Sequence, residues 1–249
     1  MKSAVKGMIG ATLALLGGSA ALLAVPGEAT LGAFSTSLAE RSSGQKHNAR
    51  LALSRLVGAK IDPGETFSFN THVGSFSRDM GYRKAPVSYN GQLIDDWGGG
   101  VCQTSTTLYN AALLAGMQIV ERNHHRFQPA YVPPGLDAAV AFTNIDLRFR
   151  NPFPYPVRID GRVEGSRLLV SVVGPEKLMQ GVEVVSVVRE LQTPQTFEFG
   201  AESGRRRIRN TGKNGFDVSV YRITGNKREQ ISHDNYPAMN RVVEVREKI

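Results

Sequence analysis

Gly98-Gly-Gly-Val-Cys102-Gln-Thr-Ser-Thr-Thr-Leu-Tyr-Asn-Ala-Ala-Leu-Leu-Ala-Gly116 joins a triple glycine to a helix pattern and contains the only cysteine of the 249-residue chain. Residues Gln103 to Ala115 read as a helix, with Leu108, Ala111, Ala112 and Ala115 along one stripe and Gly116 in the usual place for a C-terminal stop. Cys102 then falls at the helix N-terminus. Unpaired N–H groups and the positive end of the helix dipole favour the thiolate there, and thiolate is the form that attacks carbonyl carbon. The glycines would let a substrate approach the backbone and would aim N–H groups at a developing oxyanion. The alternative use of such a cysteine is as a small buried hydrophobe at a helix start.

A base lies a short way downstream. A helix of about 13 residues covers ~20 Å at ~1.5 Å per residue, and Met117-Gln-Ile-Val-Glu-Arg122 as a strand covers about the same at ~3.3 Å. An antiparallel return of matched length brings Asn123-His124-His125 back beside Cys102, the pairing a cysteine nucleophile needs. Without a nearby thiol, a His-His pair in a turn reads as a solvated loop. Asp137, Asp146 and Asn123 are candidates for the group that orients the imidazole, with Asp137 first because it follows the Pro133-Pro134-Gly135 turn; as an ordinary turn or cap aspartate it would look the same. His47, His72 and His233 are weaker candidates. One cysteine and scattered histidines give none of the paired spacings of zinc sites, so no metal and no cofactor are expected.

Together with Pro63-Gly-Glu-Thr-Phe-Ser-Phe-Asn70, Val73-Gly74, Gly81-Tyr82, Glu121-Arg122 and Tyr131-Val-Pro-Pro-Gly-Leu-Asp-Ala138, the cysteine stretch resembles the VanW-domain family of bacterial cell-envelope proteins over about a hundred residues. The segment Gly212 to Ile223, with Ile231 to Tyr236 and Asn240 to Val245, resembles the region that often ends such proteins. The resemblance implies a cysteine L,D-transpeptidase. Cys102 would be the nucleophile toward peptidoglycan tetrapeptide stems, through a thioester acyl-enzyme. The family's usual His-Ser aligns with His125-Arg126, which favours His125 over His124 and leaves Arg126 in place of the serine. Gly98, Gly99 and Gly100, followed by Gln103, Ser105 and Thr106, are the expected substrate contacts, and Cys102, His125, His124 and Asp137 the expected catalytic set. Water in place of an acceptor amine would make the enzyme an L,D-carboxypeptidase. The alternative from a different class is a catalytically silent peptidoglycan-binding or scaffolding protein in which Cys102 merely packs.

The address agrees with an envelope role. Lys2 and Lys6 precede an uncharged stretch, Met8 to Val25, which reads as a signal peptide or a single membrane anchor. The remaining chain is then expected outside the cytoplasm, anchored or secreted to the wall. A formal net charge of +8 points in that setting to anionic envelope polymers or lipid headgroups, not to nucleic acid. The densest basic run, Arg205-Arg-Arg-Ile-Arg209, has no aromatic residue to stack on bases and reads as a solvated face.

The expected organisation is an N-terminal segment 1–29, a Ser-, Gly- and Ala-rich linker 30–44, a family-like domain 45–175 and a β-rich extension 176–249. Lys46 to Val57 has the spacing of an amphipathic helix, Thr66 to Phe69 reads as a strand with Phe67 and Phe69 in the core, and Tyr89-Asn90-Gly91-Gln92-Leu93 as a hairpin. Leu147 to Phe149, Val157 to Ile159, Leu168 to Val173, Val182 to Val188, Phe197 to Phe199, Phe216 to Ile223 and Val242 to Val245 read as strands. The fold class is α+β, with a helix-and-strand catalytic-type domain followed by a β-rich C-terminal half.

Overall fold

The computed structural model describes residues 12–15, 27–89 and 92–247. The chain runs β1 (Thr12–Leu15), β2 (Ala29–Ser37), α1 (Ser43–Leu56), β3 (Lys60–Ile61), β4 (Thr66–Ser68), α2 (Phe69–Val73), β5 (Lys84–Tyr89), β6 (Gln92–Trp97), α3 (Val101–Leu114) and β7 (Gln118–Glu121). There follow β8 (Arg148–Arg150), β9 (Val157–Glu164), β10 (Arg167–Gly174), β11 (Val182–Gln192), β12 (Thr196–Gly200), β13 (Arg205–Asn210), β14 (Gly215–Thr224), β15 (Lys227–Tyr236) and β16 (Arg241–Arg246). All helices lie in the first half and the second half is built of strands, an α+β fold with a β-rich C-terminal half.

α3 is the axis of the molecule. It packs on β2 and β10 of an antiparallel sheet ordered β2-β10-β9-β3, with α1 beside it, and it also meets β11 and β7 of two further sheets, β1-β11-β14-β15 and β4-β8-β7. The sequence stripe through Leu108, Ala111 and Ala112 suggested one buried face. Instead every residue of α3 except Cys102 is buried. Burial of polar side chains is tolerated only where they find partners, and these do. Gln103 Nε2 donates to Thr36 Oγ1 (3.1 Å) and to the Ser37 carbonyl (2.8 Å), Thr107 shares a hydroxyl hydrogen bond with Thr36 (2.9 Å), and Thr104 donates to the Ala49 carbonyl (3.1 Å). The helix ends as Gly116 implied. Gly116 has φ +76°, its N–H donates to the Leu113 carbonyl, and the Met117 N–H donates to that of Ala112, a Schellman closure.

The expected linker 30–44 is not one. Ala29–Ser37 is a strand paired along β10, with Leu31 and Leu38 buried, and Ser43 already belongs to α1. Small residues, read as flexibility, here allow close packing: a Cβ on Gly32 would stand 2.2 Å from the nitrogen of Ala115, the C-cap of α3. Residues 176–249 share the core of the preceding domain: Val184 and Val220 join the same hydrophobic cluster as Leu56, Leu108, Phe149 and Val170. Most of the expected signal or anchor lies outside the described residues. Within it, Thr12–Leu15 forms β1 on the edge of β11, where apolar, strand-compatible residues meet unpaired backbone groups. Among the described residues no helix is long and apolar enough to cross a membrane.

Several local readings match the structure. β5 and β6 pair antiparallel with Tyr89 opposite Gln92, so two residues connect them. Phe67 and Phe69 are both in the core, although Phe69 begins the short helix α2, which the sequence reading had as strand. The basic run falls on β13, whose residues are mostly exposed, and Arg206 and Arg209 pair with Glu198 and Glu244 in the three-stranded sheet β12-β16-β13.

Candidate functional site

The cysteine stretch is built from the glycines outward. Gly100 is the N-cap of α3 with φ +107°, a conformation few side-chain-bearing residues adopt, and it offers no side-chain cap. Cys102 is therefore in the first turn, and its main-chain N–H has no main-chain acceptor among the described residues. The glycines themselves face protein. The Gly98 N–H donates to the Arg83 carbonyl, and a Cβ on Gly98 would stand 2.7 Å from Phe76. A Cβ on Gly99 would stand 2.6 Å from the Ala85 carbonyl oxygen, and one on Gly100 2.4 Å from that of Gln45. The room their missing side chains leave is taken by α1, Phe76 and β5, so the expectation that Gly98, Gly99 and Gly100 admit substrate is corrected: they let α3 seat closely on its neighbours.

The same correction applies to Gln103, Ser105 and Thr106, which are buried. Gln103 pins β2. The Ser105 hydroxyl donates to the Ala138 carbonyl (2.7 Å), and Thr106 Oγ1 accepts the Ala138 N–H (3.0 Å). Asn110 adds a bond to the Leu136 carbonyl (2.7 Å). The polar face of α3 thus holds the segment around Asp137 instead of a ligand.

That segment delivers the carboxylate. Asp137 is fully buried, and its Oδ2 accepts both the main-chain N–H of His125 (2.7 Å) and the ring at Nδ1 (2.6 Å). Fixing Nδ1 leaves Nε2 for Cys102, with which the imidazole is hydrogen-bonded. His125 reaches this place because β7 follows the Gly116 turn at the end of α3 and Asn123 bridges to Ala139, which holds the two segments together. Cys102 Sγ also lies 3.4 Å from the Val140 carbonyl oxygen. Cys102, His125 and Asp137 are brought into one relay, and Cys102 and His125 both reach solvent.

His124 takes another position. Consecutive side chains of an extended segment point to opposite sides. Its Nδ1 is bonded to the His125 carbonyl oxygen, and its ring stands edge-on to Tyr236, centroids 5.0 Å apart. Asp146 is also accounted for elsewhere: it accepts from the Ser68 hydroxyl and the Asn70 N–H at the start of α2. Asn123 donates to Glu121.

Sequence reading missed the support beneath Asp137. Its Oδ1 accepts from the Tyr236 hydroxyl and from Arg122 (3.1 Å), and Arg122 Nη1 donates to both carboxylate oxygens of Asp234, at 2.7 Å each. Arg122 and Asp234 are nearly inaccessible. Asp234 and Tyr236 lie on β15, about a hundred residues beyond Asp137. Glu121-Arg122 and Ile231 to Tyr236 carried part of the resemblance, but nothing in their spacing says that they meet.

The electrostatics follow from this packing. Burial alone would push the Cys102 thiol up; the hydrogen bond and charge of His125, with a main-chain hydrogen bond at Val140, outweigh it and lower it. Burial would likewise lower His125, but its bonds to Asp137 and Cys102 raise it to about 10. Asp137, despite burial, is lowered to about 2 by His125 and Arg122. Both shifts run toward a thiolate–imidazolium pair, the nucleophilic form of cysteine held next to its proton carrier. Among the described residues no group of three or more His, Cys, Asp or Glu is placed to hold a metal ion.

The family whose description is "VanW like protein" matches residues 44–173, more than half of the chain. The chain is 38% identical over 142 residues to the "Uncharacterized protein YoaR" of Bacillus subtilis, covering 57% of this chain and 47% of that protein. It is 36% identical over 109 residues to the "Vancomycin B-type resistance protein VanW" of Enterococcus faecalis, covering 42% of this chain and 40% of that protein. The chain thus spans less than half the length of these curated relatives. No solved structure matches it. With Cys102, His125 and Asp137 all inside the matched region, the chain belongs to the VanW-like protein family.

Proposed function

We propose that this protein is a cysteine acyltransferase of the cell envelope, an L,D-transpeptidase acting on peptidoglycan tetrapeptide stems. The observation that carries the reading is the relay itself: in a helix otherwise wholly buried, the one residue that reaches solvent is a cysteine bonded to a histidine, which is bonded to a fully buried aspartate. Packing alone gives no reason for that arrangement, since a structural cysteine needs neither exposure nor an oriented base.

The chemistry balances with the residues present. The Cys102 thiolate attacks the carbonyl carbon of the amide preceding the terminal D-alanine, and the electron pair moves to the carbonyl oxygen. The N–H of Cys102 is the available oxyanion donor. Collapse forms the thioester and breaks the C–N bond as His125 gives its Nε2 proton to the leaving amine. A neighbouring stem's side-chain amine then attacks the thioester, passes its proton to His125 and regenerates the thiolate. Water in the second step gives trimming instead of a cross-link. Asp137 holds the imidazole in one orientation throughout, and Arg122 and Tyr236 hold Asp137. We place the protein outside the cytoplasm, tethered or directed by its apolar N-terminal stretch, with its positive charge turned to anionic wall polymers or headgroups.

The test is intact-mass spectrometry of residues 27–249 incubated with disaccharide-tetrapeptide, beside Cys102→Ala. The expected result is an acyl adduct on the wild type with release of D-alanine, and neither in the variant. A folded protein that yields no adduct and no D-alanine would turn the reading to a silent stem-binding protein.

A further inference from the structure

The three-stranded sheet β12-β16-β13 brings exposed aromatic rings and exposed cations onto one surface. Side chains alternate along a strand, and paired residues share a face, so the register says which of them stand together. Phe197 is opposite Val242 and Phe199 opposite Glu244 of β16; Glu244 is in turn opposite Arg207 of β13, and Arg246 opposite Arg205. Arg209 falls where the pairing of β13 shifts, and its ion pair with Glu244 (2.8 Å) brings it to the same face.

The two faces of the sheet differ in how their apolar groups are covered. The opposite face carries Val243 and Val245, both buried, and an ion pair of Arg206 with Glu198 at 3.0 Å. On the first face Phe197 and Phe199 are 52% and 53% exposed, at same-side positions ~7 Å apart along the strand. Glu244 answers Arg209 and Arg246, whereas among the described residues Arg205 and Arg207 make no ion pair. Four arginines thus stand against one carboxylate, beside two wetted rings.

We propose that this face docks on an anionic lipid surface, with Phe197 and Phe199 entering the boundary of the acyl layer and Arg205 and Arg207 on the headgroup phosphates. The proposal rests on the envelope placement proposed above, not on the acyl transfer, and it names the part of the positive charge that meets the headgroups. Both features of the face choose this partner. A soluble polyanion would neutralise the arginines and leave the rings in water; an apolar peptide would cover the rings and leave the charges unanswered. The interface of an acidic bilayer has phosphates directly above an apolar layer, so the guanidinium forks and the phenyl rings are satisfied at once.

The test uses the full chain, whose one natural tryptophan, Trp97, gives the background fluorescence. Phe199→Trp is compared with Phe142→Trp, which alters a ring of similar exposure (49%) outside this sheet. Each is mixed with vesicles of phosphatidylcholine brominated on its acyl chains, with and without phosphatidylglycerol; bromine quenches an indole that enters the acyl layer. For Phe199→Trp the expected quenching is about twofold stronger with phosphatidylglycerol than without, and adding Arg205→Gln and Arg207→Gln removes the difference. For Phe142→Trp the two vesicles are expected to give the same emission. Equal quenching of Phe199→Trp in both vesicles, or a matching response from Phe142→Trp, overturns the proposal. So does emission that responds to soluble polyphosphate and not to vesicles, which would make the face a polymer site. Where Phe199→Trp does not fold, Phe197→Trp takes its place with the same expectations. No stem peptide is present, so this experiment and the thioester experiment can each fail alone.

Discussion

α1 and α3 are both 14 residues long and lie side by side, yet their N-termini are built oppositely. α1 closes its own: Ser42 accepts the Gln45 N–H, and the Gln45 side chain accepts the Ser42 N–H, a complete capping box. α3 begins at a glycine that offers no side-chain cap, and its second residue is the thiol, whose main-chain N–H is the one in the first turn left without a main-chain acceptor among the described residues. α1 is half exposed and needs local stabilisation. α3 is held on all sides by other elements, so its first turn can be left open without loss of the helix. An uncapped helix end is affordable only in a buried helix, and there it becomes a place for chemistry.

That contrast is open to attack at each end. Gly100→Ala puts a Cβ 2.4 Å from the Gln45 carbonyl oxygen at a strained φ, and is expected to cost on the order of 3 kcal/mol in chemical denaturation. A cost below about 1 kcal/mol would mean that α1 and α3 are not locked at that contact. Next, His125→Ala is expected to slow alkylation of Cys102 by iodoacetamide at pH 7 roughly a hundredfold, since burial then raises the thiol with only the Val140 main-chain hydrogen bond against it. The wild-type rate should climb less steeply between pH 7 and 9 than that of an ordinary thiol, and a rate that climbs as steeply would rule out the ion pair.

The acid limb of stability gives a smaller effect. Asp137 is lowered from 3.8 to about 2, so its contribution is complete above about pH 4 and is lost as the pH falls toward 2. His125, raised from 6.5 to about 10, works in the opposite sense: its contribution is complete below about 6.5 and disappears as the pH rises through 10. Thermal melts of wild type and Asp137→Asn should converge on acidification from pH 5 to 2; parallel curves would remove Asp137 from the linkage. The smallest change is expected on the closed helix, where Ser42→Ala costs about 1 kcal/mol and leaves Cys102 alkylation as it was. A changed alkylation rate there would show that the α1 cap reaches the thiol.

The helix, the glycine stop, the return strand and the alternating strands after Leu147 were legible because each rests on local periodicity or a local backbone requirement. Cys102, His125 and Asp137 fall within 36 positions and were found by chain-length arithmetic and type of chemistry. β2 was misread because Gly32, Ala33 and the serines signal looseness by composition while serving close approach to α3. Gln103, Ser105 and Thr106 were misread because a polar residue beside a nucleophile looks like a ligand contact, and only tertiary burial shows that it holds β2 and Ala138. Arg122, Asp234 and Tyr236 were missed because their meeting spans more than a hundred residues.

Asp234 and Tyr236 lie two apart on β15, opposite Val218 and Phe216, while His233 and Asn235, at the alternate positions, are exposed. Which pair faces inward is a matter of odd and even positions. β15 already carries one extra residue in its pairing with β14, at the step between Val220 and Tyr221, so the inward parity beyond that step depends on where the irregularity is absorbed. A slip of one position would present an imidazole and an amide to Arg122 in place of a carboxylate and a phenol. The charge state of a thiol on a helix in the first half of the chain is in this sense counted out along a strand near its end.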